Sequence, residues 1–272
     1  MQDVGRDLEL GSFGKVAFIG GIYSNYLALA EALRVARTWS VDAIVALGDF
    51  GAFGPHPDRT LEILREAGVH AIQGNYEESL STDALDCHCG YTDPRDNLFA
   101  QFSYDYTKLM TSPEHKEWMG TLPRRIRLSI GGKRVLACHG SPRKINEFLW
   151  RSTTPVPFIQ KLLSDHACDL IVCTHTGLHW KRFVEPGRGV VNAGALGRPA
   201  NDGATNVWIT IVRAAEGTIQ AEFVPVFYDY SRLAAEMAAE GLPVEFIETI
   251  RTGWWTSCLE ILPAKERMLG RF

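Results

Sequence analysis

Three short apolar runs near the start of the chain each end in a glycine followed by a small or polar residue, with helical spacing between them. Val16-Ala17-Phe18-Ile19 stops at Gly20-Gly21, Ala43 to Leu47 stops at Gly48-Asp49, and Val69 to Gln73 stops at Gly74-Asn75. Runs this short with β-branched content read as buried strands. Between the first two, Tyr26, Leu29, Ala30, Leu33 and Ala36 recur at helical spacing, and Ser24 is the expected N-cap. Pro57 opens the next helix, where its missing N–H costs nothing, and Gly68 closes it. Strand, helix, strand, helix, strand restricts this part to parallel βαβ units.

Farther along, residues 78–122 are polar and helical in patches, with breaks at Pro94 and Pro113, and read as a cap-like insertion. Arg125–Ile130 and Lys133–Cys138 are strands joined by Gly131-Gly132. A helix over 155–166 precedes strands at 169–173, 189–192, 207–212 and 218–227. Two helices, closed by Gly241 and Gly253, make residues 228–272 a C-terminal helical extension of one domain spanning 1–272. No repeat or low-complexity linker divides it.

A chain of 272 residues, 46% hydrophobic and 22% charged, can bury a substantial core. Its net charge of −4 supplies no general basic field, so nucleic acid is not an expected partner, and self-association is left open. Residues 1–15 lack the basic-then-apolar pattern of an export signal, and no apolar run reaches spanning length, which excludes a membrane partner. The six cysteines then read as reduced thiols of a cytoplasmic protein.

Asp49, Asn75, His139 and His175 each stand at or just beyond the C-terminal end of an expected strand. In open α/β sheets ligands gather in that crevice. A carboxylate, an amide oxygen and two imidazoles suit a divalent or trivalent transition ion such as Mn, Fe or Zn.

The ordered motifs Gly48-Asp49, Gly74-Asn75-Tyr76-Glu77, His139-Gly140-Ser141-Pro142, Thr174-His175-Thr176 and Asn192 to Pro199 resemble those of the calcineurin-like metallophosphoesterases, in the branch of small bacterial phosphodiesterases and phosphatases. The resemblance spans roughly residues 15–253. It implies a four-layer αββα sandwich of two mixed β-sheets, and hydrolysis of a small-molecule phosphoester by a metal-activated water. Family members hold two ions about 4 Å apart. Here the first motif, normally Asp-x-His, reads Gly21-Ile22-Tyr23, and the fifth, normally Gly-His-x-His, reads Thr174-His175-Thr176-Gly177. The family pattern thus keeps all four ligands of one ion (Asp49, Asn75, His139 and His175) and only Asp49 of the other's four. One ion is expected, and two would mean that ligands have been missed. The rival readings are a non-catalytic metal-binding scaffold on the same fold and a metal enzyme of altered chemistry.

Other residues carry paired readings. Tyr23 fills the space of the absent histidine, or touches metal or substrate. Tyr76 packs, or protonates the leaving group. His179 sits in a loop, or supplies a replacement ligand. Arg198, with Arg143 and Lys144, is solvated surface or meets a phosphate. Cys87-His88-Cys89 lacks the spacing of a structural zinc site and reads as free thiols away from the ligands.

Overall fold

The computed structural model describes residues 7–268; the first six residues, part of the stretch read above as lacking an export signal, and the last four lie outside it. The strands are β1 (Leu8–Phe13), β2 (Lys15–Ile19), β3 (Ala43–Ala46), β4 (His70–Ala71), β5 (Arg125–Ile130), β6 (Lys133–Cys138), β7 (Leu170–Cys173), β8 (His179–Glu185), β9 (Arg188–Ala193), β10 (Val207–Ala215) and β11 (Thr218–Val226). The helices are α1 (Tyr26–Thr38), α2 (Pro57–Glu66), α3 (Asn75–Ser81), α4 (Pro94–Met110), α5 (Pro113–Thr121), α6 (Val156–Asp165), α7 (Tyr230–Ala239), α8 (Val244–Thr252) and α9 (Ala264–Met268).

Two mixed sheets result, ordered β1-β5-β6-β7-β9-β8 and β11-β10-β2-β3-β4. The period-two alternation of strands explains how they stack. On β2, Val16 and Phe18 face inward and meet Val45, Ile126, Leu128, Val135, Leu170 and Val172 in a core shared by both sheets. Ala17 and Ile19, on the opposite face of the same strand, pack against Leu29, Ala32 and Leu33 of α1 and Leu61 and Leu64 of α2. The outer face of the other sheet does likewise: Leu136, Ile171 and Val190 cover Ile159, Leu162 and Leu163 of α6. Helix, sheet, sheet, helix is the expected four-layer sandwich.

The β2–β3–β4 strands run parallel, as do β6, β7 and β9, so their C-terminal ends open on one edge of the sandwich. There the sheets are laced together. A bridge joins Gly21 to Ala195, and Leu196 and Gly197 both donate their N–H to the Gly21 carbonyl at 2.9 Å.

Several boundaries differ from the sequence reading. The α1 cap is Asn25, whose Oδ1 accepts from Ala28 N at 2.9 Å. Ser24 instead has φ +54° and its buried Oγ finds no partner among the described residues. The strand expected over 69–73 pairs only at His70–Ala71, because Gln73 N turns away to the Pro123 carbonyl. Two edge strands, β1 and β8, escaped the sequence reading: β1 buries no residue fully, and β8 is mostly charged or aromatic. No helix among the described residues is long and apolar enough to cross a membrane.

Candidate metal centre

The four candidate ligands reach the seam from both sheets: Asp49 follows β3, Asn75 follows β4 and opens α3, His139 follows β6, and His175 follows β7. Asp49 and His175 adopt left-handed backbone, φ +57° and +69°. That conformation costs a non-glycine residue about 1–3 kcal/mol, and such strain gathers at functional sites.

The turn at Asp49 is held by a residue to which the sequence reading gave no role. Glu77, fully buried, accepts backbone N–H groups from Asp49 (2.7 Å), Phe50 (2.9 Å) and Gly74 (2.8 Å). One carboxylate thereby ties the β3 end to the β4 end. Burial, then the charge of Asp49, push the Glu77 carboxyl up to about 7. The clue was present in the sequence: an acid three residues after Gly74, at the start of a helix, is a capping pattern.

His139 is oriented in the same way. Its Nδ1 lies 2.6 Å from the Leu47 carbonyl, which can only accept, so Nδ1 carries the proton. The other nitrogen, Nε2, then lies 3.2 Å from Asp49 Oδ2, 3.1 Å from Asn75 Oδ1 and 3.0 Å from His175 Nδ1. The Asn75 oxygen faces this point because its Nδ2 donates elsewhere, to the Cys87 carbonyl at 2.9 Å. Asp49 Oδ1 is taken by Tyr76 N at 3.2 Å, leaving Oδ2 for the cluster. Four polar atoms thus converge, Asp49 Oδ2, Asn75 Oδ1, His139 Nε2 and His175 Nδ1, and the first three present lone pairs to the same point.

Such a set suits a cation. Asp49, His139 and His175 are all buried, with one ligand atom from each within 4.8 Å of the others. Without metal, the proton takes that part. Burial opposes charge on His139, but the Asp49 carboxylate outweighs it and holds the imidazole above its ordinary value. Burial likewise opposes charge on Asp49, and the charge and hydrogen bond of His139 still hold its carboxyl below the usual range. Burial and the His139 charge push His175 down to about 3, so its ring is neutral. The backbone of Cys89 and Asn146 comes near this ring, but neither bonds with ordinary geometry, and buried His175 Nε2 has no partner among the described residues. The residues fit a transition ion.

Tyr23 lies at the edge of this cluster. Its ring covers Gly21: a Cβ there would stand 2.5 Å from Tyr23 Cε1. Burial and the Asp49 charge raise its phenol well above the ordinary value, so it stays protonated. Gly177 is covered from the other side, since a Cβ on its left-handed backbone (φ +73°) would stand 2.8 Å from Trp255 Cη2. Trp255 is fixed by its indole N–H to the Pro199 carbonyl (2.7 Å). Arg198 stacks 3.8 Å from the centroid of Trp255 and donates to the Ser257 carbonyl. It is buried, not solvated, and pairs with no carboxylate among the described residues.

Two expected residues are not brought to the cluster. The Tyr76 hydroxyl points into α4, 2.9 Å from Ser103 Oγ, with its ring against Tyr104, which is the placement the packing reading describes. His179 begins β8, not a loop, and its ring lies against Trp208 and Phe223 at 4.7 and 4.6 Å. Its ring is not among the converging atoms of the buried cluster. The cysteine reading also needs correction. Cys87 and Cys89 are joined as a disulfide, and Cys89 Sγ lies 3.4 Å from Asn75 Nδ2, beside the ligands rather than away from them. The other four cysteines are free and buried.

Residues 15–214 match the family model of the calcineurin-like phosphoesterase superfamily domain. The chain belongs to that superfamily. An uncharacterised protein of Methanocaldococcus jannaschii is 25% identical over 238 residues, covering 84% of this chain and 93% of its own. Among solved structures, a metallophosphoesterase from Sphaerobacter thermophilus is similar at TM-score 0.65 and 24% identity, covering 89% of this chain and 99% of that one. A hypothetical protein from Pyrococcus horikoshii superposes at TM-score 0.74 with 19% identity, over 91% of this chain and 100% of its own. At these identities the two structures establish the shared fold.

Proposed function

We propose that this chain is a metal-dependent phosphoesterase working with one ion, held by Asp49, Asn75, His139 and His175. The observation that carries the reading is the convergence of Asp49 Oδ2, Asn75 Oδ1 and His175 Nδ1 within 3.2 Å of His139 Nε2, in a buried cluster. When bound, the ion supplies Lewis acidity, activating the attacking water and polarising a phosphoryl oxygen. The protein fixes the acceptors beforehand: Glu77 sets the Asp49 turn, the Leu47 carbonyl sets the His139 tautomer, and the Asn75 amide is turned by its own N–H bond.

The covering of Gly21 by Tyr23 and of Gly177 by Trp255 supports loss of the family's second ion, because these are the positions where its remaining ligands would begin. A buried guanidinium without a carboxylate partner is costly unless an anion visits it. Arg198 is therefore assigned to the substrate's phosphoryl group, with the Tyr23 hydroxyl as a neutral donor next to it. A cleft of about 310 Å³ beside His139 is lined by Arg124, Arg125, Arg143 and Lys144. Residues 78–122 and 228–272 are read as parts of one domain that close over this edge.

The test is hydrolysis of bis(p-nitrophenyl) phosphate and p-nitrophenyl phosphate by protein loaded with Mn(II), Fe(II) or Zn(II), compared with Asp49→Asn. Metal-dependent turnover abolished in the variant is the expected result. Metal binding without turnover on either ester class would favour a scaffold role on the same fold.

A further inference from the structure

The Cys87–Cys89 pair stands in the segment between α3 and α4, and that segment is fastened over the candidate ligands. The His88 carbonyl accepts from Asn146 Nδ2 at 2.7 Å, and His88 Nδ1 lies 3.1 Å from Ser79 Oγ on α3. Tyr91 stacks on Phe148, whose ring centroid is 4.3 Å from that of His175. The decisive contacts are with Asn75. Its Nδ2 donates to the Cys87 carbonyl at 2.9 Å and lies 3.4 Å from Cys89 Sγ, while its Oδ1 is 3.1 Å from His139 Nε2. An amide is planar and turns as a unit, so what holds the nitrogen also aims the oxygen. Asn75 thus has one end on the disulfide and the other among the ligands.

We propose that Cys87–Cys89 is a redox-active disulfide whose state sets the metal affinity of the centre through Asn75, with a small dithiol as its exchange partner. The inference rests on the metal reading above. Cys87 is buried while Cys89 is partly exposed, so Cys89 Sγ is the sulfur open to attack. A thiolate of the dithiol bonds to Cys89 Sγ, the bond to Cys87 breaks, and the Cys87 sulfur leaves and takes up a proton. The second thiol of the reagent then displaces Cys89, which is protonated in turn, and the reagent closes to its own disulfide. Two electrons and two protons pass to the protein. Opening the ring releases the Cys87 carbonyl and Cys89 sulfur from their fixed positions, and the Asn75 oxygen loses its fixed aim. The pair positions a ligand and touches no substrate.

The experiment titrates Mn(II) against a chromophoric chelator, using oxidised protein and protein reduced with dithiothreitol and desalted anaerobically. Reduction should weaken binding by about 10–100-fold, the usual effect of losing a partner that orients a ligand. Cys87→Ser with Cys89→Ser should match the reduced form and ignore dithiothreitol. Binding energies are reciprocal, so Mn(II) should shift the dithiol–disulfide equilibrium toward the disulfide by the same factor, a response that a merely structural crosslink would not give. Equal, tight affinities in both forms overturn the proposal alone. Tighter binding by the reduced form also overturns it, since sulfur would then be acting as a ligand. Absence of binding in both forms sinks the metal reading, and this inference with it.

Discussion

Replacing Glu77 with glutamine tests how the site is built, because the change keeps the shape and removes one acceptor. Glu77 receives three backbone N–H groups at 2.7, 2.8 and 2.9 Å, two on Oε2 and one on Oε1. A glutamine can keep its oxygen toward Asp49 and Gly74, but then presents its NH2 to the Phe50 N–H. One buried donor is left unsatisfied, at about 1–3 kcal/mol, and the other two bonds lose their charge assistance. Against this, the variant relieves the repulsion from Asp49 that helps push Glu77 up to about 7. A net loss of about 1–3 kcal/mol remains, measurable by urea unfolding of the chelator-treated protein. The Asp49 turn should relax with it, weakening Mn(II) binding by about 10–100-fold in a chelator competition. Glu78→Gln, which loses only a partly exposed pair with Arg124, is the control and should change neither quantity much. Unchanged stability and unchanged affinity in Glu77→Gln would refute the claim that this carboxylate holds the metal turn.

Other consequences follow from the same geometry. Tyr76→Phe should leave hydrolysis within about twofold of wild type, since the hydroxyl is committed to Ser103; a loss of 10²-fold or more, the usual worth of a general acid, would restore it as one. Gly21→Asp should lower the melting temperature because its Cβ meets the Tyr23 ring at 2.5 Å, and Tyr23→His added to it should recover part of the loss; a fully tolerated Gly21→Asp would show that the ring leaves room. In chelator-stripped protein, His139 and Glu77 both titrate above their unfolded values, 6.5 and 4.5. Their stability contributions are complete below those values and lost as pH rises through the folded ones, so the stripped protein should begin to lose melting temperature above about pH 4.5, where Glu77 titrates up to about 7, and go on losing it above about pH 6.5 through His139. Metal binding needs deprotonated ligands, so the metal-induced rise in melting temperature should grow over the same pH range, and a constant rise would contradict the ligand assignment.

Much of the fold was legible because its strands are short and buried. Val16–Ile19, Arg125–Ile130 and Lys133–Cys138 carry strong apolar patterns bounded by glycines, and each appears as a strand within a residue of its expected limits. Edge strands lack that signal: β1 keeps no residue fully buried, and β8 displays Lys181, Arg182 and Glu185 along a half-covered edge. The four candidate positions could be read as polar residues at or just past strand ends, two of them directly after a glycine, since parallel topology carries such ends to one edge. What the sequence could not reveal is the direction of each side chain. Tyr76 and His175 both stand in the motifs that follow strands, yet the first turns into α4 and the second into the cluster. Glu77 was visible as part of a motif, but its role depends on two backbone ends that meet only in three dimensions. The disulfide was missed because the cysteine reading relied on compartment and spacing, whereas the fold lays that segment across Asn75.

The central claim is a single ion held by Asp49, Asn75, His139 and His175, and metal analysis of protein purified without chelators tests it most directly. Elemental analysis by mass spectrometry, set against protein concentration from amino-acid analysis, should return about one equivalent of Mn, Fe or Zn per chain. His139→Ala and His175→Ala should each reduce that value to near zero while the protein remains folded by circular dichroism. Two equivalents in the wild type, or one retained in both folded variants, would contradict the account.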